Sequence, residues 1–229
     1  MAEAAASDTQ AQTTRRLLVA GAIVGPLYLA IGVIQALVRH GFAFGRHPLS
    51  VLANGEGGWV QTLNFVITGL LILGAALGIG RSLRRESRAA GWILFVFGLG
   101  VLLSAVFPAD PMDGFPPGTP EGAPEPMTTS GTLHFVVGGI GFLALAISGF
   151  VVGRALLKRD ERGLAWFSFA TGAIVILGFM IGGALPASVA TAGVWASVVV
   201  GFGWLTLLCV HLRGDVTTEF PDHGVASTS

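Results

Sequence analysis

Six long apolar segments alternate with shorter polar segments along the 229-residue chain. Each apolar segment is close to the roughly 20 residues with which an α-helix crosses a hydrocarbon core about 30 Å thick. The pattern therefore predicts an all-α integral membrane protein, a bundle of six transmembrane helices. The predicted spans are residues 17–38, 60–80, 91–107, 133–153, 164–185 and 194–212.

The two ends of the chain differ from this pattern. Residues 1–14 and 214–229 are polar and show no apolar periodicity, so we predict disordered tails on either side of a transmembrane domain of residues 15–213. Arg15 and Arg16 precede the first span in the manner of an export signal. Its length of about 22 residues instead favours an uncleaved membrane helix, because the apolar core of a signal peptide is shorter.

Composition agrees with a membrane location, and the distribution of charge predicts an orientation. Hydrophobic residues make up 52% of the chain and charged residues only 11%, against roughly 25% charged residues in soluble domains. Eleven of the thirteen basic residues fall on one side of the predicted membrane, with only Arg39 and Arg46 on the other. The positive-inside rule then predicts a multi-pass protein of the cell (plasma) membrane with both termini in the cytoplasm. Nucleic acid is not an expected partner, since no basic face is free of the membrane.

Two parts of the chain resemble each other. Residues 64–81 align with residues 134–154, and both stretches run from the outer side to an arginine on the inner side. We interpret this as a tandem repeat of helical hairpins, formed by helices 2–3 and 4–5. His134 takes the place of Asn64, and in the halves that follow, where residues 107–110 match residues 185–188, Asp110 takes the place of Ser188. Two symmetry-related outer positions thus carry titratable groups in one combination only, which predicts a polar, asymmetric outer end of the bundle.

The candidate chemistry lies in and beside the first two outer loops, residues 39–59 and 108–132. Imidazole nitrogen and carboxylate oxygen are good zinc ligands, which suggests a polar or metal site at the outer face. The alternative is structural: the histidine at the start of the fourth span caps its helix or bonds a loop carbonyl, and the aspartates form turns beside proline and glycine. The candidate residues are His47, Asp110, Asp113 and His134, with His47, Asp110 and His134 as ligands of a divalent metal such as zinc. Secondary candidates are Ser50, Glu56, Trp59 and Asn64.

Three functions remain open at this level. Between their ends the six spans contain no Asp, Glu, Lys or Arg, which disfavours a proton-coupled pump. The leading hypothesis is a non-catalytic protein among membrane lipids that binds a lipid, a small solute or a partner protein through an outer polar cap. The second is a metal-assisted, hydrolase-like membrane enzyme with its site at the outer face. The third is a transporter of a neutral solute, with a polar cavity continuing past Asn64, Thr68 and Ser104; the pattern makes no prediction of the oligomeric state.

Four short motifs resemble a known family. They are GPLYLAI in the first span, HPLSVLANGEGGWVQTLNFVITG leading into the second, FPADP closing the third and SGTLHF opening the fourth. Together they resemble the bacterial membrane proteins catalogued as domain of unknown function 998, over residues 16–212. The resemblance implies a six-helix protein of the bacterial inner membrane without an established activity. It adds no catalytic residue.

Overall fold

The computed structural model describes residues 2–180 and 187–219, and within these ranges it contains no β-strand. Five of its helices are long and apolar enough to cross a membrane, and the sixth, of 17 residues, is apolar but shorter. The helices are α1 (Ala2–Val38), α2 (Gly58–Ser82), α3 (Ala90–Val106), α4 (Thr129–Lys158), α5 (Arg162–Met180) and α6 (Ala187–Glu219), with a short 3₁₀ helix at Leu49–Ala53. The predicted all-α, six-helix fold is confirmed.

The six helices form a closed ring. Within the described residues each helix packs against the next one in the chain, and α6 returns to pack against α1. Residues 39–57, between α1 and α2, and residues 107–128, between α3 and α4, cover one end of the ring. We call these two segments the cap. We call the opposite end the terminal end. It contains the start of α1, the end of α6 and the connections α2–α3 and α4–α5.

Aromatic side chains pack together in the centre of the six-helix bundle. Tyr28 of α1 stacks on Phe202 of α6 with ring centroids 4.6 Å apart. Phe97 of α3 meets Phe202 at 5.8 Å and Phe142 of α4 at 5.8 Å. Aromatic side chains provide large contact areas with preferred edge and stacked geometries, so these contacts connect helices that are distant along the chain.

One arginine holds the terminal end together. The Arg159 side chain, between α4 and α5, lies 3.1 Å from a Glu86 carboxylate oxygen and 3.1 Å from an Asp215 carboxylate oxygen. It also donates to the carbonyl of Ser82 at 2.8 Å. Because a guanidinium presents five donors in a fixed fork, a single side chain connects α2, the α2–α3 loop and α6.

The N-terminal segment corrects one prediction. The sequence predicts disorder over residues 1–14, yet α1 begins at Ala2 and runs to Val38 without interruption. This segment contains five alanines, the residue with the highest helix propensity. Extending an existing helix also avoids the cost of nucleating a new one.

The sixth helix is also longer than predicted at both ends. It begins at Ala187 rather than residue 194, because Thr191 and Trp195 in its first turns donate hydrogen bonds to cap carbonyls. It continues to Glu219 rather than ending at residue 212, so part of the predicted disordered tail is helical. The pairing of Asp215 with Arg159 holds this extension against the bundle. The end of the predicted fifth span (181–185) and residues 220–229 of the tail lie outside the described residues.

Candidate functional site

The interior of the cap is aromatic, although the sequence predicts a polar cap. Phe115 is fully buried and meets the rings of Phe42 and His47, each with centroids 5.5 Å away. The Arg39 guanidinium lies over the Phe115 ring, 5.2 Å from its centroid. Leu49 on the 3₁₀ helix is buried as well. The cap therefore has its own small core, which explains how two irregular loops keep a defined shape.

Arg39 joins this core to the first cap segment. Its guanidinium donates to the carbonyls of Leu52 (3.2 Å) and Asn54 (2.6 Å). Burial lowers the pKa of Arg39, and the nearby Glu56 carboxylate opposes that shift. Since an arginine remains charged across the physiological range, its part here is to fix backbone carbonyls by charge-assisted hydrogen bonds.

Both ring nitrogens of His47 form hydrogen bonds within the cap. Its Nδ1 accepts a hydrogen bond from the Ala43 amide at 2.9 Å, so Nε2 carries the proton and donates to the Asp113 carbonyl at 3.1 Å. The Asp113 backbone is left-handed (φ 51°), and one of its carboxylate oxygens accepts from the Gly122 amide at 3.2 Å. The pair thus joins the two cap segments through a backbone carbonyl, with no free ring nitrogen.

Asp110 and His134 lie beside each other at the start of α4. Asp110 is buried and accepts hydrogen bonds from both the amide and the hydroxyl of Thr128. Thr128 is the N-cap of α4, and its hydroxyl oxygen accepts from the Gly131 amide. His134 donates from Nδ1 to the Phe107 carbonyl at 2.8 Å. Its Nε2 has no hydrogen-bond partner within the part of the chain that the structure describes.

A cavity of about 230 Å³ lies beneath the cap, and Asp110 and His134 line it. The other polar side chains in its lining are the hydroxyls of Ser50, Ser104 and Tyr28. The remaining wall is mostly apolar and aromatic, and it includes Phe65, Phe97, Phe142, Phe179, Val198 and Phe202. On α4 the wall contains Gly138 and Gly139, where an added methyl group would meet open space.

The four candidate residues form two separate pairs, one inside the cap and one at the cavity. Among the described residues, no three of His47, Asp110, Asp113 and His134 present ligand atoms within 4.8 Å of one another. The three-residue convergence that a metal-assisted enzyme would need is therefore not formed in this arrangement. A metal site at the cap stays a prediction that requires the loops to rearrange.

A group that does meet this distance lies at the terminal end, where the sequence suggested no site. It consists of Glu161, His211 and Asp215. Glu161 accepts from the His211 ring at 2.6 Å, and Asp215 is paired with Arg159. These contacts account for the group as an ion-pair network next to a guanidinium. His211 and Asp215 lie four residues apart on α6, a spacing that the sequence shows, whereas Glu161 belongs to the α4–α5 connection and only the fold brings it to them.

The secondary candidates divide between the cavity and the surface. Ser50 lines the cavity, whereas Glu56 and Trp59 are exposed at the cap, Trp59 by 69%. Asn64 is buried; it donates to the Tyr28 carbonyl at 3.2 Å.

The polar residues named for the transporter hypothesis do not form one path. Ser104 lines the cavity, while Asn64 and Thr68 are absent from its lining. Thr68 donates to the Asn64 side chain at 3.3 Å. These two residues serve as hydrogen-bonding groups between and along helices α1 and α2.

The fold and the site define a multi-pass helical membrane protein with a cavity beneath a structured cap. The chain belongs to the family described as protein of unknown function DUF998, whose family model matches residues 22–211. The match includes parts of all six described helices and confirms the resemblance noted in the sequence. No curated protein and no solved structure matches the chain.

Proposed function

We propose that this protein binds a small lipid-like molecule in the cavity beneath the cap. The cavity carries the proposal: its wall is largely apolar and aromatic, with a few polar groups from Asp110, His134 and the serines. Small-molecule sites have this composition, because apolar walls supply affinity and a few polar groups fix orientation. An apolar cavity of about 150 Å³ already admits benzene, so 230 Å³ is room for a larger guest.

The membrane setting supports a ligand taken from lipid. Phe135 lines the cavity and is also 58% exposed on α4. Met127, just before α4, also lines the cavity and is 42% exposed. The mouth of the cavity therefore lies at the surface of the bundle near one end of α4, where an amphipathic molecule would place its polar end. The distribution of arginines supports a cap on the outer side of the membrane.

Native mass spectrometry of the protein released from nanodiscs tests the proposal. Gly138 lines the cavity, and an added Cβ there has no neighbour within 4 Å, so we expect the side chain of Gly138→Leu to take up cavity volume. Gly138→Ala is the matched control, because a single methyl group leaves most of the volume free. We expect wild type and Gly138→Ala to carry a bound small molecule and Gly138→Leu to lose at least about 90% of it, a tenfold loss.

Two results would contradict the proposal. One is a wild-type protein without a bound species, and the other is equal occupancy in Gly138→Leu. The same spectra test the enzyme alternative, which the shared position of a carboxylate and an imidazole at the cavity favours. A stoichiometric divalent ion that is lost in both Asp110→Ala and His134→Ala would favour metal-assisted chemistry instead.

A further inference from the structure

We infer that the cavity selects a ligand whose polar end is a hydroxyl or an amine, and that it excludes phosphate and carboxylate head groups. This inference rests on the proposed function and names the chemical class of the ligand. It follows from which hydrogen-bonding atoms are already used and which remain for a guest.

His134 offers an acceptor. Its Nδ1 is 2.8 Å from the Phe107 carbonyl, which can only accept, so the proton of the neutral ring is on Nδ1. The second nitrogen, Nε2, then carries a lone pair. The structure describes no partner for Nε2, and the ring lines the cavity. A ligand that meets this nitrogen must therefore donate a proton to the hydrogen bond.

Asp110 and Ser104 also present acceptors, whereas the hydroxyls of Ser50 and Tyr28 can either donate or accept. The Asp110 carboxylate offers only acceptors, and it is close enough to His134 to interact electrostatically. Ser104 donates its hydroxyl proton to the Gly100 carbonyl at 3.0 Å, so the oxygen presents lone pairs. Three acceptors thus line one cavity; an ammonium group has a donor for each of them, and a hydroxyl can donate to one of them.

The cavity lacks the positive charge that an anionic head group would need. None of the described residues in its lining is Lys or Arg. The two cap arginines have other partners: Arg39 donates to cap carbonyls, and Arg46 pairs with Glu121. A phosphate placed beside Asp110 would be a buried charge next to a like charge, which is strongly unfavourable.

Photolabelling tests the inference with four probes that share the same alkyl chain and differ in their head group. The probes are an octanol, an octylamine, an octanoate and an octyl phosphate, each with a diazirine near the end of the chain. The protein is held in phosphatidylcholine nanodiscs, and labelled peptides are identified by mass spectrometry. Labelling of cavity residues such as Val198 is divided by labelling of the exposed Leu177 on α5, which corrects for partition into the bilayer.

We expect the alcohol and the amine to label the cavity at least about tenfold more than the carboxylate and the phosphate, because an unpaired buried charge is costly. His134→Asn separates the roles of the two ring nitrogens. The Asn amide can donate to the Phe107 carbonyl from a position near Nδ1, but it removes the acceptor at Nε2. This variant should keep its thermal midpoint and lose about tenfold of the alcohol labelling. His134→Gln places its amide near the position of Nε2 and should retain more labelling.

The outcomes separate the inference from the proposed function. Equal labelling by all four probes would overturn the selectivity and leave lipid binding in place, and preferential labelling by phosphate would reverse the selectivity. Unchanged alcohol labelling in His134→Asn would overturn the role of this histidine. If no probe labels the cavity while Leu177 is labelled, the proposed function itself fails.

Discussion

Asp110 and Thr128 form the junction between the second cap segment and α4. Asp110 accepts from the amide and the hydroxyl of Thr128, and the Thr128 hydroxyl oxygen accepts from Gly131 one turn further on. An acidic group near a helix N-terminus also interacts favourably with the helix dipole. This carboxylate therefore positions the start of the helix that carries His134.

Asp110→Ala tests this role. Thr128 is exposed, so water can replace part of the contact, but the substitution removes a charged acceptor from two Thr128 donors at the start of α4, and we expect a loss of about 1–2 kcal/mol in the free energy of unfolding. The loss appears as a lower midpoint in thermal unfolding of the detergent-solubilised protein. Glu125→Ala, an exposed carboxylate in the same segment, is the control and should change the midpoint little. Equal shifts of the midpoint in the two variants would show that the Asp110 carboxylate stabilises the fold no more than an exposed carboxylate does.

At the scale of single residues, the sequence identified the important side chains more accurately than it identified their interaction partners. The structural alternative for His134, a bond to a loop carbonyl, agrees with its contact to Phe107. The turn predicted around Asp113 agrees with its left-handed backbone. The separation into two pairs was not predictable, because the path of both loops depends on the burial of Phe115 between them.

Helix α4 has glycines with two different environments. A Cβ at Gly149 would lie 2.6 Å from the Ser168 carbonyl of α5, so glycine allows the two backbones to approach. At Gly138 the same addition meets nothing within 4 Å, because that face borders the cavity. Gly149 lies four residues from Gly153, a spacing that predicts close helix packing, whereas Gly138 has no glycine four residues away. The sequence therefore contains a signal for the packed face of α4 and none for the cavity wall.

Gly149→Ala and Gly138→Ala form a matched pair within that helix. We expect Gly149→Ala to destabilise the protein by about 1–3 kcal/mol, because the methyl group forces the α4 and α5 backbones apart. Gly138→Ala should be neutral or should stabilise by up to about 1 kcal/mol, since alanine is the better helix former. Unfolding followed by circular dichroism measures both. A larger loss of stability for Gly138→Ala than for Gly149→Ala would contradict the assignment of Gly138 to the cavity face and of Gly149 to the face packed against α5.

The exact ends of the helices were also not predictable from the sequence alone. Hydropathy identified the apolar spans, but helices α1 and α6 continue beyond them into polar sequence. Alanine propensity explains the extension of α1, and the Asp215 contact with Arg159 explains that of α6. The second explanation requires knowledge of which helix ends meet, and a single sequence does not contain it.

The closure of the ring is a property of the whole molecule. Helices α1 and α6 are the most distant in sequence, yet Gly21 and Gly25 allow them to pack closely, because a Cβ at Gly21 would clash with the Cys209 sulfur. At the terminal end the Arg159 network connects α6 to the α2–α3 loop. Because the ring encloses the cavity, the proposed ligand site depends on contacts between the first and last helices.

The orientation of this ring in the membrane decides which side of the membrane the cap faces, and single-cysteine labelling measures it. Cys209 is fully buried, so the native protein has little background reactivity. We expect Glu125→Cys in the cap to react with an impermeant maleimide on intact cells, because the arginines cluster at the terminal end. Gly163→Cys, exposed at the terminal end, should react only after permeabilisation. The opposite pattern would contradict the positive-inside prediction and place the mouth of the cavity toward the cytoplasmic leaflet, so the ligand would be drawn from inner-leaflet lipids.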